Sequence, residues 1–335
     1  MRKTWTKRLL STFVAAMMGL SLLPAGALAA EPSVAQIGDT TYETLGEAIT
    51  AANNSTDPTT IELLQSCDLD SRISILADRN VTITAPQNSG ITVTDNDRKG
   101  VGLSNGSTLT IENITLNTNG QIYLNGSNGS LTFSNASLNM DGEMYQFNED
   151  GYYCCAISIE QPQSALKFDH CNVNIKNYPL TGSAIRWNPT SNTYFVEIVN
   201  GTSFESSNCY AGFTGTLNVK VEDSELNVHN HRGNGANGSH YDINGSVVNF
   251  YDNGSHGLST TNLNVTDSTV TASGNSYIGI AVAGSMAIAQ DSVVTVTENA
   301  FGSLGYAAMR LYNNYNFSVD STSKLYINNN YNTGD

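Results

Sequence analysis

The sequence predicts an all-β fold, a parallel solenoid of stacked rungs opened by a single capping helix. Three observations predict it. The first is a repeat. LTIENITLN from Leu109, LTFSNASLNM from Leu131, LKFDHCNVNI from Leu166, LNVKVEDSELNV from Leu217, LNVTDSTVTA from Leu263, MAIAQDSVVTV from Met286 and FSVDSTSKLYI from Phe317 share one frame. FVEIVNGTSF from Phe195 and YDINGSVVNF from Tyr241 fill its two widest gaps, which leaves starts 22 to 35 residues apart. Each stretch has apolar residues two apart, a short polar turn, and a second apolar pair two apart. That alternation puts one set of side chains on one face of a strand. A single rung cannot bury its own apolar face, whereas stacked rungs line a continuous interior. The second observation is composition: 40 Asn and 29 Gly in 335 residues, with only 13% charged, suit strands and turns. The 39% hydrophobic content is patterned, so the chain is not disordered. The third is one short stretch of helical period near the start.

Taken in order, residues 1–29 read as a secretory signal peptide. A basic start, MRKTWTKR, precedes an apolar stretch from Leu9 to Leu23, Pro24, and the small-x-small site Ala27-Leu28-Ala29. A membrane anchor suits this segment less, because Ser11, Thr12, Gly19 and Ser21 interrupt the apolar run. Residues 30–66 read as a strand–helix–strand cap. Thr44 and Glu47 stand at capping-box spacing, Leu45, Ala48, Ile49 and Ala52 form an apolar face, and TTIELLQ from Thr59 returns as a strand. A helix over the first rung would shield its open edge. Residues 67–335 read as rungs. Asn113, Asn135 and Asp267 occupy one turn position, where their side chains could cap turn amides as a ladder, and His170 stands in the same place. SGNSYIGIAVAG (Ser273 to Gly284) is of the kind that would supply the third strand of a rung. After KLYI (Lys324 to Ile327) the expectation is either a covering loop or, the favoured reading, continuation in a longer protein.

Charge narrows the function. Arg2, Lys3, Lys7 and Arg8 are the leader's bases, and it holds no acid, so the 15 Lys+Arg fall to 11 against 30 Asp+Glu. A net charge of −19 excludes a nucleic-acid partner, which needs phosphate-neutralising bases, and disfavours an anionic membrane surface. No later segment is long and apolar enough for membrane insertion of the mature chain. Cys67, Cys154, Cys155, Cys171 and Cys209 show neither a disulfide framework nor a CxxC metal site; Cys171 reads as a small core residue, and a disulfide at Cys154 or Cys155 is left open.

Three clusters are candidate sites. His229, His231, His240 and Asp242 are the candidate metal ligands, with Zn²⁺ the ion. Leu226 and Val228 point inward, so a strand continuing through LNVHNH would put His229 and His231 on one outer face. His231, Arg232, Asp242 and His256 are the candidate acid–base residues, set against a bland reading as a solvated turn-rich loop. The insertion DGEMYQFNEDGYYCC contributes Tyr145, Tyr152 and Tyr153, and SAIRWNPTSNTYF contributes Arg186, Trp187 and Tyr194. Aromatics beside acids, amides or Arg are the usual means of stacking on and hydrogen-bonding to a sugar, so these six are the candidate ligand contacts. Ca²⁺ is a second candidate ion, but the acidic loops lack DxDxDG spacing.

The LTIENITL-type rungs and the IGDTTYETLGEAI opening resemble right-handed parallel β-helix, pectin-lyase-like proteins, and in particular exported surface proteins of Gram-positive bacteria. The resemblance covers about residues 34–330 and implies a right-handed parallel β-helix. It implies a polysaccharide-facing outer groove, and for the enzymes of the family a basic residue beside Ca²⁺-holding carboxylates, or paired Asp residues with NTD, DD, GHG and RIK motifs. This chain has no NTD and no adjacent Asp pair, and Ser255-His256-Gly257 matches GHG only in part. The expectation is therefore a secreted or cell-surface, adhesin-like binding protein whose flank loops contact a polysaccharide, another glycan or a host surface protein. A polysaccharide lyase or glycoside hydrolase on the same scaffold is the alternative, and a passive spacer the third.

Overall fold

The computed structural model describes residues 32–142, 155–161, 163–178, 182–187, 195–300, 307–312 and 316–330. From Val34 onward the described residues form an all-β parallel β-helix with one α-helix. Each full rung contributes to three walls. The rung of Val101–Leu103, Thr108–Glu112 and Thr115–Thr118 is followed by Ile122–Leu124, Ser130–Ser134 and Ser137–Asp141, every strand pairing parallel with its counterpart one rung on. The third wall is an eleven-stranded sheet running from Cys67–Asp68 to Lys324–Asn328. The first and second walls are spanned by single long strands on three rungs, Ala236–Asn244, Leu258–Thr266 and Ile280–Ala289, before separating again into Met309–Leu311 and Asn316–Val319. SGNSYIGIAVAG does supply such a strand, Ile280–Ala289.

Register carries the core. Leu109 pairs with Leu131 and Ile111 with Phe133; Leu131 pairs with Leu166 and Phe133 with Phe168, and all are buried. The inward column therefore stacks like on like. Phe133 and Phe168 lie face to face at 5.4 Å, and Phe204 meets Phe168 edge-on at 5.4 Å. Such aromatic contacts add to the burial term that drives the stack. Cys171 is a buried thiol of this core, and Cys155 is also free, so no disulfide forms there. Cys154 lies outside the described residues.

The capping helix, Leu45–Asn53, buries the expected face of Leu45, Ala48, Ile49 and Ala52. Thr44 accepts from the Glu47 amide at 3.2 Å, and Glu47 accepts from the amide of Glu43 at 3.1 Å. The helix packs on Thr59–Leu63, which pairs parallel with Asn80–Thr84 and so already belongs to the second wall.

The corner between the second and third walls turns on one left-handed residue. Asn113, Asn135, His170, Asn200, Asp223, Gly245 and Asp267 have φ between 46° and 59°. Asn, Asp and Gly tolerate that region best, which explains the turn residues of the repeat. The ladder at this corner is built differently from the sequence expectation. The turn residue's backbone amide bonds to the next rung, as Asn113 does to Ser134 O and Asp267 to Ala289 O. The side-chain ladder belongs to the following hydroxyl: Thr202, Ser224 and Ser246 each donate a backbone N–H to the hydroxyl of Ser224, Ser246 and Ser268 respectively.

A second ladder runs inside the corner after the third wall. The amides of His231, Asn253, Asn275 and Asn299 donate to the side-chain oxygens of Asn253, Asn275, Asn299 and Asn330. Asn253 Nδ2 also reaches Val228 O, and Asn275 Nδ2 reaches Phe250 O. Buried polar groups are thereby paired without water.

Candidate functional site: an arginine–tyrosine–glutamate patch on the first wall

The histidine cluster does not assemble. His229 ends the strand Glu225–His229 and faces outward as expected, stacked on Tyr251 at 4.4 Å with Nε2 3.3 Å from Glu205. His231 does not share that face. Asn230 adopts φ 55°, which ends the alternation and turns His231 into the interior, where it is 2% exposed. Its Nδ1 accepts from the Cys209 amide at 3.2 Å, so Nε2 carries the proton toward Ser206 Oγ at 2.9 Å. His231 is thus the first member of the interior ladder, doing an asparagine's work. Burial lowers its pKa to about 4, so the ring is neutral and enclosed near pH 7.

His240 and Asp242 lie on a different wall, paired with Asn218 and Lys220. They share neither strand nor face with His229. Among the described residues no group of three His, Cys, Asp or Glu side chains could hold a metal ion. His256 is half-buried, stacked on Tyr277 and bonded to Asn234 and Ser255, and burial, then Arg310, lowers its pKa. Arg232 is exposed one residue beyond the ladder histidine. The proposed acid–base set is therefore split between interior, corner and second wall. Of the six sugar-contact candidates, Tyr145, Tyr152, Tyr153 and Tyr194 lie outside the described residues. The backbone of Trp187 closes the strand Ser183–Trp187 opposite Ile159.

Arg186 lies in a patch that the sequence does not announce. On the first wall the outward column reads Ser74, Gly102, Tyr123, Ser158, Arg186 and Thr214, each in register with the next. Arg72, just before this wall's strand Ile73–Ile75, lies across Gly102. A Cβ at Gly102 would sit 3.0 Å from Arg72 Nε, so the guanidinium lies close against the bare glycine backbone. From there Arg72 donates to Val101 O at 3.1 Å and stands 6.0 Å from the Tyr123 ring centroid. Ser158 is buried and hydrogen-bonds Glu160, while Gln121 donates to Cys155 Sγ at 3.2 Å.

The electrostatics follow from this packing. Tyr123 has a raised pKa, from burial and then from Glu160, against the opposing pull of Arg72. Burial likewise raises the Cys155 thiol, although Ser158, Gln121 and Arg186 oppose it. The phenol is accordingly a neutral donor and the thiol a protonated, unreactive group. Arg72, Tyr123 and Glu160 thus gather on the first wall, with Arg186 one rung beyond Ser158, on a chain whose net charge is strongly negative.

No protein-family model matches the chain, and no curated protein matches it. Among solved structures it is similar to a mutant of the periplasmic alginate epimerase AlgG, at 12% identity over 82% of this chain and 88% of that one. The TM-score is 0.22, too loose a superposition to inform the site. No helix among the described residues is long and apolar enough to cross a membrane.

Proposed function

We propose that this chain is an exported β-helix protein that binds acidic glycan on its first wall. The observation that carries the reading is the patch itself, where Arg72 and Arg186 flank Tyr123 and Glu160 across successive rungs. A guanidinium grips a carboxylate through parallel N–H donors, and the patch sets Arg72, which also donates to Val101 O, and Arg186 on either side of a phenol donor. Uronate sugars present a carboxylate and neighbouring hydroxyls in that sense. Tyr123 and Glu160 would take the hydroxyls, and the arginines would offset the chain's net negative charge locally. Export rests on the leader-like first 29 residues.

Catalysis is the second reading, favoured by the same arginines and phenol. A lyase needs a base at the sugar C5 proton, and the raised pKa of Tyr123 makes the phenol a poor one near neutral pH. Binding without turnover therefore stands first. The test is calorimetric titration of residues 30–335 with trigalacturonate and with its neutral counterpart, while absorbance at the unsaturated-uronate band is followed. Saturable binding of the acidic oligomer, weakened at least tenfold in Arg186→Ala and Arg72→Ala without absorbance change, supports the proposal. Equal affinity for both oligomers, or indifference to either substitution, refutes it. Rising absorbance that Tyr123→Phe abolishes replaces binding with elimination.

A further inference from the structure

The third wall carries a groove remote in chemistry from the arginine patch. It has a volume of about 480 Å³ and is lined by Asn117, Asn139 and Asn174, with Asp141 and Lys176 beside them and the 94–96 segment at one end. The three asparagines form one outward column in register, Asn117 opposite Asn139 and Asn139 opposite Asn174, so their amides stand one strand spacing apart, about 4.8 Å. Asn139 Nδ2 donates to Asn117 Oδ1 at 2.8 Å, which orients both amides along the column. Asn174 breaks the pattern. Its Oδ1 is buried yet has no hydrogen-bond partner among the described residues.

A carbonyl oxygen without a donor is costly to keep; Asn174 Oδ1 is closed to solvent as it stands, and a rotation of the side chain would turn it into the groove to accept a ligand's donor. The surroundings define that donor's charge. Asp95 is buried and saturated by Gly100, Lys99 and Asp97 amides and the Thr118 hydroxyl. Asp141 is paired with Lys176 at 3.4 Å and with Asn177 at 3.0 Å. A cation finds no unclaimed carboxylate here, and an anion meets Asp95 and Asp141 with only a lysine already engaged. What remains is a row of amides, each able to give and accept, that suits a ligand of closely spaced uncharged hydroxyls.

We propose that this groove binds a neutral oligosaccharide laid along the solenoid axis, one sugar hydroxyl donating to Asn174 Oδ1 and others bridging Asn139 and Asn117. The site is separate from the acidic-glycan patch and does not depend on it. The chain would then read two sugars of opposite charge character on two walls.

The experiment titrates the intact mature chain with cellotetraose, maltotetraose, mannotetraose and trigalacturonate. Asn117→Ala, Asn139→Ala and Asn174→Ala are compared with Arg186→Ala and with Asn264→Ala on the second wall. A neutral tetraose should bind in the millimolar range or tighter and weaken roughly fivefold to tenfold in each groove variant. It should be unchanged in Arg186→Ala and Asn264→Ala. Thermal melts guard against unfolding: Asn174→Ala should melt at or above the wild-type temperature, because the substitution removes an unsatisfied oxygen. No neutral tetraose binding overturns the proposal, as does binding indifferent to the three groove variants. Trigalacturonate binding lost in the groove variants but kept in Arg186→Ala overturns the neutral class and, independently, the first-wall reading.

Discussion

Replacing His231 with asparagine should remove this residue's share of the solenoid's acid sensitivity between pH 7.5 and pH 5 while keeping the ladder bond. The imidazole occupies the ladder position that Asn253, Asn275 and Asn299 occupy on later rungs, so an asparagine oxygen there can accept the Cys209 amide in its place. In the fold the ring has a pKa of about 4, against an ordinary value of 6.5. A depressed basic group is bare in the folded state and protonated in the unfolded state between these values. The unfolded chain then binds more protons, and stability is full above pH 6.5 and falls as the pH drops toward 4. The two values give a loss of about 2 kcal/mol at pH 5 and about 3 kcal/mol below pH 4 from this one residue. Urea unfolding at pH 7.5 and pH 5, followed by circular dichroism, reads the difference. The wild type should lose about 2 kcal/mol more than His231→Asn between the two pH values. His256 is depressed in the same direction but is present in both proteins and cancels. Parallel pH profiles would show that His231 is accessible or protonated in the fold, and would refute both its burial and its place in the ladder.

Asn275→Ala should destabilise by about 3–5 kcal/mol in the same assay, because it strands the Asn253 amide and the Phe250 carbonyl in the interior; a change under about 1 kcal/mol would mean the ladder is ornamental. Tyr241→Phe should stabilise by about 1 kcal/mol, since the Tyr241 hydroxyl is fully buried without a partner among the described residues. A lower melting temperature would reveal a hidden partner. Thr44→Ala should cost about 1 kcal/mol and raise amide exchange in Leu45–Asn53 specifically, and uniform exchange across the rungs would contradict a local cap.

The legible parts of the fold were those fixed by local chemistry. Period-two alternation around a left-handed Asn or Asp marks the second and third walls, and Thr44 with Glu47 marks the helix start. The first wall hides because strands such as Val101–Leu103 and Ile122–Leu124 are three residues long, too short to show a period. Alternation alone puts His231 on the outer face, but alternation holds only while the strand lasts, and Asn230 at φ 55° ends it one residue earlier. The histidines looked like a cluster in sequence, but adjacent positions at a corner project to different sides of the wall. The arginine patch is the reverse case. Tyr123, Ser158 and Arg186 are dozens of residues apart, and only the parallel register of rungs of unequal length brings them into one column, across which Arg72 reaches from before its strand. Asn174 shows the same limit, for its significance is a missing partner and not a residue type.

The tight corner between the second and third walls has a consequence for how such a chain can be altered. From Asn113–Ile114 to Asp267–Ser268 it holds two residues on most rungs and three at Asn200–Thr202. Each of these turns bonds to the next through its own amide, and the extra residue at Asn200–Thr202 is absorbed within its turn, since Phe195–Val199 and Ser203–Ser207 keep register with the rungs on either side. The corner after the third wall behaves otherwise: it takes three residues at Asn119–Gln121 and many more between the strands Ser137–Asp141 and Ile157–Ile159, with register restored on both sides. One edge of the solenoid therefore keeps its connections to two or three residues over these rungs, whereas the corner after the third wall carries far longer ones. Foreign epitopes or binding loops grafted between the strands Ser137–Asp141 and Ile157–Ile159 should disturb the stack less than the same graft at the two-residue turn Asn135–Ala136.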